Sequence, residues 1–179
     1  MNLKTKTLVN ISLLAAITAV LSQIALPIPF TPVPINLATL GVFLCGSILG
    51  AKYGALSQIV YVLLGLIGLP VFSGFSSGAG ILMGPTGGYI IGYVFVALCT
   101  GLLTDKLPKK FSYYIVSMAI GLMVCYAFGT VWFMYLTKAS LGKALTACII
   151  PFIPGDIFKI IVASIVTARL RKSSFFVFQ

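Results

Sequence analysis

Residues Phe111–Leu136 read FSYYIVSMAIGLMVCYAFGTVWFMYL. No side chain in this run is charged, and at about 1.5 Å per residue it outreaches a bilayer core of about 30 Å. It predicts a transmembrane helix, the longest of the chain. The remainder agrees with it: of 179 residues 60% are hydrophobic and 8% charged, with a mean hydropathy of +1.15. Soluble domains carry about 25% charged residues. A chain this apolar cannot cover itself with polar surface in water, whereas lipid removes that need. The expectation is therefore a single domain over residues 1–179, an all-α integral membrane protein with room for about six spans.

Working outward from that helix, a first one is predicted over Val9–Leu26 and read as retained rather than cleaved, because everything downstream is apolar as well. Four prolines in Pro27–Pro34 each remove a backbone donor, so a stiff loop follows. Two short helices, Ile35–Leu49 and Ala55–Gly68, are separated by Gly50-Ala51-Lys52-Tyr53-Gly54. The stretch Ser73–Gly80 is too polar and glycine-rich to span. A fourth helix runs from the turn Gly84–Gly88 to Thr104, and the sixth covers Asp156–Arg169 after an amphipathic connection, Thr137–Cys148.

A net charge of +10 would suggest nucleic acid in a soluble protein, but here the cations sit at the ends of apolar runs. Placing the N-terminus inside puts nine of the twelve on the cytoplasmic side: Lys4, Lys6, Lys52, Lys106, Lys109, Lys110, Arg169, Arg171 and Lys172. Lys138 and Lys143 fall outside, and Lys159 lies within the sixth helix. This positive-inside bias requires an even number of spans with both termini cytoplasmic. The irregular loops after helices 1 and 3 then face outward, as does the start of the sixth helix.

Several chemistries find no support. Cys45, Cys99, Cys125 and Cys148 are scattered singly and there is no histidine, so a metal or redox site is not expected. No phosphate-binding loop occurs, and two acids in all cannot build a carboxylate-rich catalytic centre. The chain reads as a non-enzyme without cofactor, with any energy source on another chain.

The sharpest polar signal is Pro154-Gly155-Asp156-Ile157-Phe158-Lys159, which sets an acid and a base three residues apart on one helical face. An ionised group at membrane depth costs at least ~2.5–3.5 kcal/mol, so such a pair marks either a binding site or a pin between helices. Gly84-Pro85-Thr86-Gly87-Gly88-Tyr89 opens a helix and offers free N–H groups to ligand oxygens, or is a plain helix-start turn. Ile28–Asn36, including Phe30, and Phe72–Gly80, with Ser76 and Ser77, read as a cover over an outward pocket or as ordinary connections. On the first helix Ser12, Ala15, Ala16 and Ala19 permit close helix contact, internal or with a partner. Tyr89, Trp132 and Tyr135 suit a membrane-interface belt, with one or two left for a pocket.

Together, Pro29-Phe30-Thr31-Pro32-Val33-Pro34-Ile35, Thr39-Leu40-Gly41, Gly65–Phe72, Gly84–Tyr89 and Pro154-Gly155-Asp156 with Lys159 resemble the BioY family. Its members are the biotin-binding S components of energy-coupling factor (ECF) transporters. The resemblance runs from about Leu14 to Ala168 and implies a six-helix bacterial membrane protein that captures biotin on its outer face. It implies partners too: a transmembrane coupling subunit and two ATPase subunits, with Ala15 and Ala19 in the docking motif. The ligand-contacting acid and base would be Asp156 and Lys159, and Tyr89, Thr86, Gly87, Phe30, Ser76 and Ser77 complete the expected substrate site.

Overall fold

In hydrocarbon the backbone must satisfy its own N–H and C=O groups, so long apolar segments become helices. The computed structural model, which describes residues 5–29 and 31–171, contains seven α-helices among them: α1 (Thr5–Gln23), α2 (Ala38–Leu66), α3 (Ala79–Leu82), α4 (Gly87–Lys106), α5 (Phe111–Thr137), α6 (Leu141–Cys148) and α7 (Ile153–Leu170). Four of these, α1, α2, α4 and α5, are long and apolar enough to cross a membrane. A fifth candidate is α6 with α7, bent by 51° across 149–152. The expected bounds of α5 differ by one residue. The molecule is thus a multi-pass helical membrane protein.

The proline-rich loop corrects the all-α expectation, because it is a β-hairpin. Strands β1 (Ala25–Ile28) and β2 (Thr31–Asn36) pair antiparallel, Ala25 opposite Asn36 and Ile28 opposite Thr31, with an irregularity between Leu26 and Ile28. Backbone donors alternate in direction along a strand, so Pro32 and Pro34 put their missing N–H groups on one edge and leave the other free to pair. Helix α1 accordingly stops at Gln23 rather than Leu26. Pro27 also disfavours a helical conformation at Leu26.

Two short helices were expected where α2 is assigned as one, and a single residue explains the difference. Gly50 has φ 78° and ψ 178°, a backbone conformation open to glycine and not to helix. On either side the chain doubles back. Cys45 Sγ lies 3.6 Å from Ser57 Oγ and accepts a hydrogen bond from Gln58 Nε2 at 2.9 Å. In a straight helix residues 45 and 57 would be about 18 Å apart. At the crossing a Cβ on Gly54 would sit 2.7 Å from the carbonyl oxygen of Cys45, so only glycine allows this approach. Asp105, at the end of α4, accepts a bond from the Ala51 N–H at the reversal and pairs with Arg171 Nη2 at 2.7 Å.

Helix α2 packs most extensively on α4, α4 on α5, and α1 on α2; α7 lies against α2 and α5. Between α2 and α7 the interface carries polar rungs. Lys159 Nζ donates to Thr39 Oγ1 at 3.0 Å, the Ser47 and Thr167 hydroxyls lie 2.7 Å apart, and Arg171 Nε donates to the Ser47 carbonyl. Helix α7 starts at Ile153, three residues before the expected Asp156, because Pro154 is tolerated in a first turn where no N–H partner is needed.

Candidate functional site

The site begins with the Asp–Lys spacing on α7. Asp156 and Lys159 are 2% and 3% exposed, and Lys159 Nζ reaches Asp156 Oδ1 at 2.6 Å. The other carboxylate oxygen, Oδ2, accepts the Tyr126 hydroxyl from α5 at 2.6 Å. Four polar groups from three helices form one chain, Tyr126–Asp156–Lys159–Thr39. A buried charge pair is tolerated where its remaining valences are met by such bonds. Thr39 stands at the start of α2, where the Asn36 side-chain oxygen accepts the Ala38 N–H at 3.1 Å.

This chain forms one end of a cavity of about 280 Å³, close to the lower bound of ~300 Å³ usual for small-molecule sites. Tyr61, Tyr93, Phe72, Tyr89 and Phe152 contribute aromatic wall, and Ser73, Ser76 and Thr86 contribute hydroxyls. Tyr61 packs edge-on to Phe72, ring centroids 5.6 Å apart. Among the described residues, Lys159 is the one cation in the lining and Asp156 the one acid. Such a space suits a compact ligand with an apolar body and a polar end that both donates and accepts hydrogen bonds.

Of the residues singled out in the sequence, Asp156, Lys159, Tyr89, Thr86 and Ser76 line this cavity together. Ser77 and Gly87 do not. At Gly87 a Cβ would overlap the Leu82 carbonyl, so this glycine serves the tight turn into α4. Phe30 lies outside the described residues. Tyr89 donates its hydroxyl to the Cys148 carbonyl at 3.3 Å, tying α4 to α6. Trp132, read as an interface residue, donates to the Gly84 carbonyl at 2.9 Å and fastens the same turn to α5. Ala15 is 1% exposed, Ala19 is half-buried, and the outward small residues of α1 are Ser12 and Ala16.

Sequence reasoning missed Tyr126, Tyr61 and Tyr93, quoted Thr39 without assigning it to the site, and had Asn36 only as the end of the Ile28–Asn36 cover segment. It also missed what holds the segment after α2. Ser22 donates its hydroxyl to the Val71 carbonyl at 2.6 Å, and the Phe75 N–H bonds Gln23 Oε1 at 2.8 Å. The segment 71–75 is thereby pinned to the end of α1. Replacing Ser22 and Gln23 together by Ala is expected to speed amide exchange of residues 71–76 roughly tenfold, since each such bond contributes about 0.5–1.5 kcal/mol. Hydrogen–deuterium exchange in detergent reads this out, and unchanged protection there would show that other contacts hold the segment.

A cavity with one charged pair, set among membrane helices, defines the class: a small-molecule-binding membrane protein. The chain belongs to the BioY family, whose model matches residues 1–175. It is 42% identical over 145 residues to the biotin transporter BioY of Thermotoga maritima, covering 81% of this chain and 85% of that protein. Among solved structures, the S-component for biotin from an ECF-type ABC transporter superposes with TM-score 0.90 at 32% identity, over 98% of this chain and 97% of the other. FolT bound with folic acid matches at TM-score 0.63 and 16% identity, over 94% and 93%, a likeness of fold alone.

Proposed function

We propose that this chain is the substrate-binding subunit for biotin uptake: it captures biotin from outside the cell and passes it to an ATP-driven module. The observation that carries the reading is what the buried pair leaves free. Lys159 has three N–H donors, of which Asp156 and Thr39 take two. Asp156 has about four acceptor positions, of which Lys159 and Tyr126 take two. One donor beside free acceptors complements one edge of a cyclic urea, an N–H next to a carbonyl. The ureido ring of biotin offers that edge. On this reading Lys159 meets the ureido oxygen, Asp156 accepts the ureido N–H, and the aromatic wall buries the thioether ring and chain. Tyr89, Thr86 and Ser76 add to the lining.

The chemistry asked of the chain is binding, so it is a transport subunit and not an enzyme. We read six membrane crossings: α1, the two arms of α2, α4, α5 and α7. Both termini then share the cytoplasmic side with nine cations, and the bacterial relatives support residence in the cell membrane. The partners are a transmembrane coupling subunit, docking along the α1 face of Ala15 and Ala19, and two ATPase subunits. Ala19 supplies surface for that contact, while Ala15 sets how closely α1 packs on the bundle.

Titration of the purified chain with biotin, read by calorimetry or by the fluorescence of Trp132, is expected to give saturable one-to-one binding that excess folic acid does not displace. Binding of a different vitamin with none of biotin would overturn the reading.

A further inference from the structure

The geometry points to Tyr126 as a positioning residue for ligand capture, one that holds the Asp156 carboxylate open toward the cavity; this rests on the proposed function. A carboxylate next to an ammonium on the same helical face can turn both oxygens onto it, because a lysine ammonium carries three donors and imposes no planar geometry. Here the two oxygens are divided. Oδ1 meets Lys159 Nζ at 2.6 Å, and Oδ2 meets the Tyr126 hydroxyl at 2.6 Å from another helix. Bonds of a neutral donor to an ionised acceptor are short and strong, and this one spans α5 and α7. Thr39 does the equivalent for the cation, drawing Nζ toward α2 at 3.0 Å. The pair is thus held from both sides by groups on helices other than its own.

Tyr126 also lines the cavity, so its hydroxyl works at the edge of the ligand's space. Without that bond nothing on α5 opposes rotation of the carboxylate onto Lys159. The acceptor positions facing the cavity would then be spent within the pair, and Lys159 would lose the donor it holds free. The penalty of losing the hydroxyl should therefore fall on the ureido end of the ligand, and it should exist only while Asp156 carries a carboxylate.

The test compares the full chain with Tyr126→Phe, Asp156→Asn and the double variant by biotin calorimetry, extended to millimolar biotin, and repeats Tyr126→Phe with desthiobiotin. Tyr126→Phe keeps the ring and should weaken biotin roughly 10–100-fold. It should weaken desthiobiotin equally, because that ligand shares the ureido ring, and should cost less than about twofold in the Asp156→Asn background. Wild-type affinity in Tyr126→Phe overturns the inference alone. A penalty confined to biotin overturns it too, because the phenol would then act on the thioether ring, as does an undiminished penalty without the carboxylate. Failure of the wild-type chain to bind biotin removes the proposed function itself, and the inference with it.

Discussion

Asp156→Asn is expected to lower biotin affinity by about 100-fold or more. Asn keeps the shape but withdraws the charge that strengthens hydrogen bonds to ligand, Lys159 and Tyr126, each such bond contributing ~1.5–3 kcal/mol. It also leaves Lys159 as an uncompensated cation at 3% exposure, and breaking a buried pair in this way costs about 3–5 kcal/mol of stability. A loss of binding alone could therefore reflect damage to the bundle. The second variant separates the two effects: Asp156→Asn with Lys159→Met removes both charges, which is often neutral for stability. It should recover the thermal stability of the parent in detergent while biotin still fails to bind. A double variant that binds biotin like the parent would show that the pair only pins α7 in place.

Gly50→Ala is expected to destabilise the bundle at a point remote from the cavity. Gly50 sits at φ 78° and ψ 178°, a region that only glycine occupies comfortably, where a side chain costs about 1–3 kcal/mol. A Cβ there would also lie 2.7 Å from Asp105 Oδ2, forcing apart the carboxylate that holds the Ala51 N–H and Arg171. A combined cost of about 3 kcal/mol corresponds to a fall in melting temperature of roughly 10 °C for a chain of this size. A melting point within two or three degrees of the parent would mean that the reversal adjusts without strain.

The parts of this fold that could be read from the residues are those enforced by lipid. Long uncharged runs must be helices, which is why α5 was bounded so closely, and a lone acid and base in apolar surroundings advertise themselves as Asp156 and Lys159 did. The hairpin over Ala25–Asn36 was hidden because four prolines argue locally against pairing, and the placing of Pro32 and Pro34 on one edge of β2 leaves the other edge free to pair. Likewise Tyr126 gives no local signal: aromatic residues abound in membrane helices, and its selection depends on which face of α5 meets α7, thirty positions later. Tyr61 is obscured for the same reason, and Thr39 because Ser and Thr hydroxyls in apolar helices often bond their own backbone. The start of α7 was misjudged because Pro154 resembled a break.

The rungs between α2 and α7 have a mechanical consequence. Thr39 with Lys159 and Ser47 with Thr167 are both separated by 120 positions, so the first arm of α2 and α7 run in the same direction in fixed register. The two rungs lie about 12 Å apart along the axis, and Arg171 secures the lower end about 18 Å from Lys159. No slip of α7 by a residue or a turn can preserve one rung and break the other. The helix is keyed to α2 like a rod, so an axial displacement of its C-terminal end would carry to the ammonium group in the cavity.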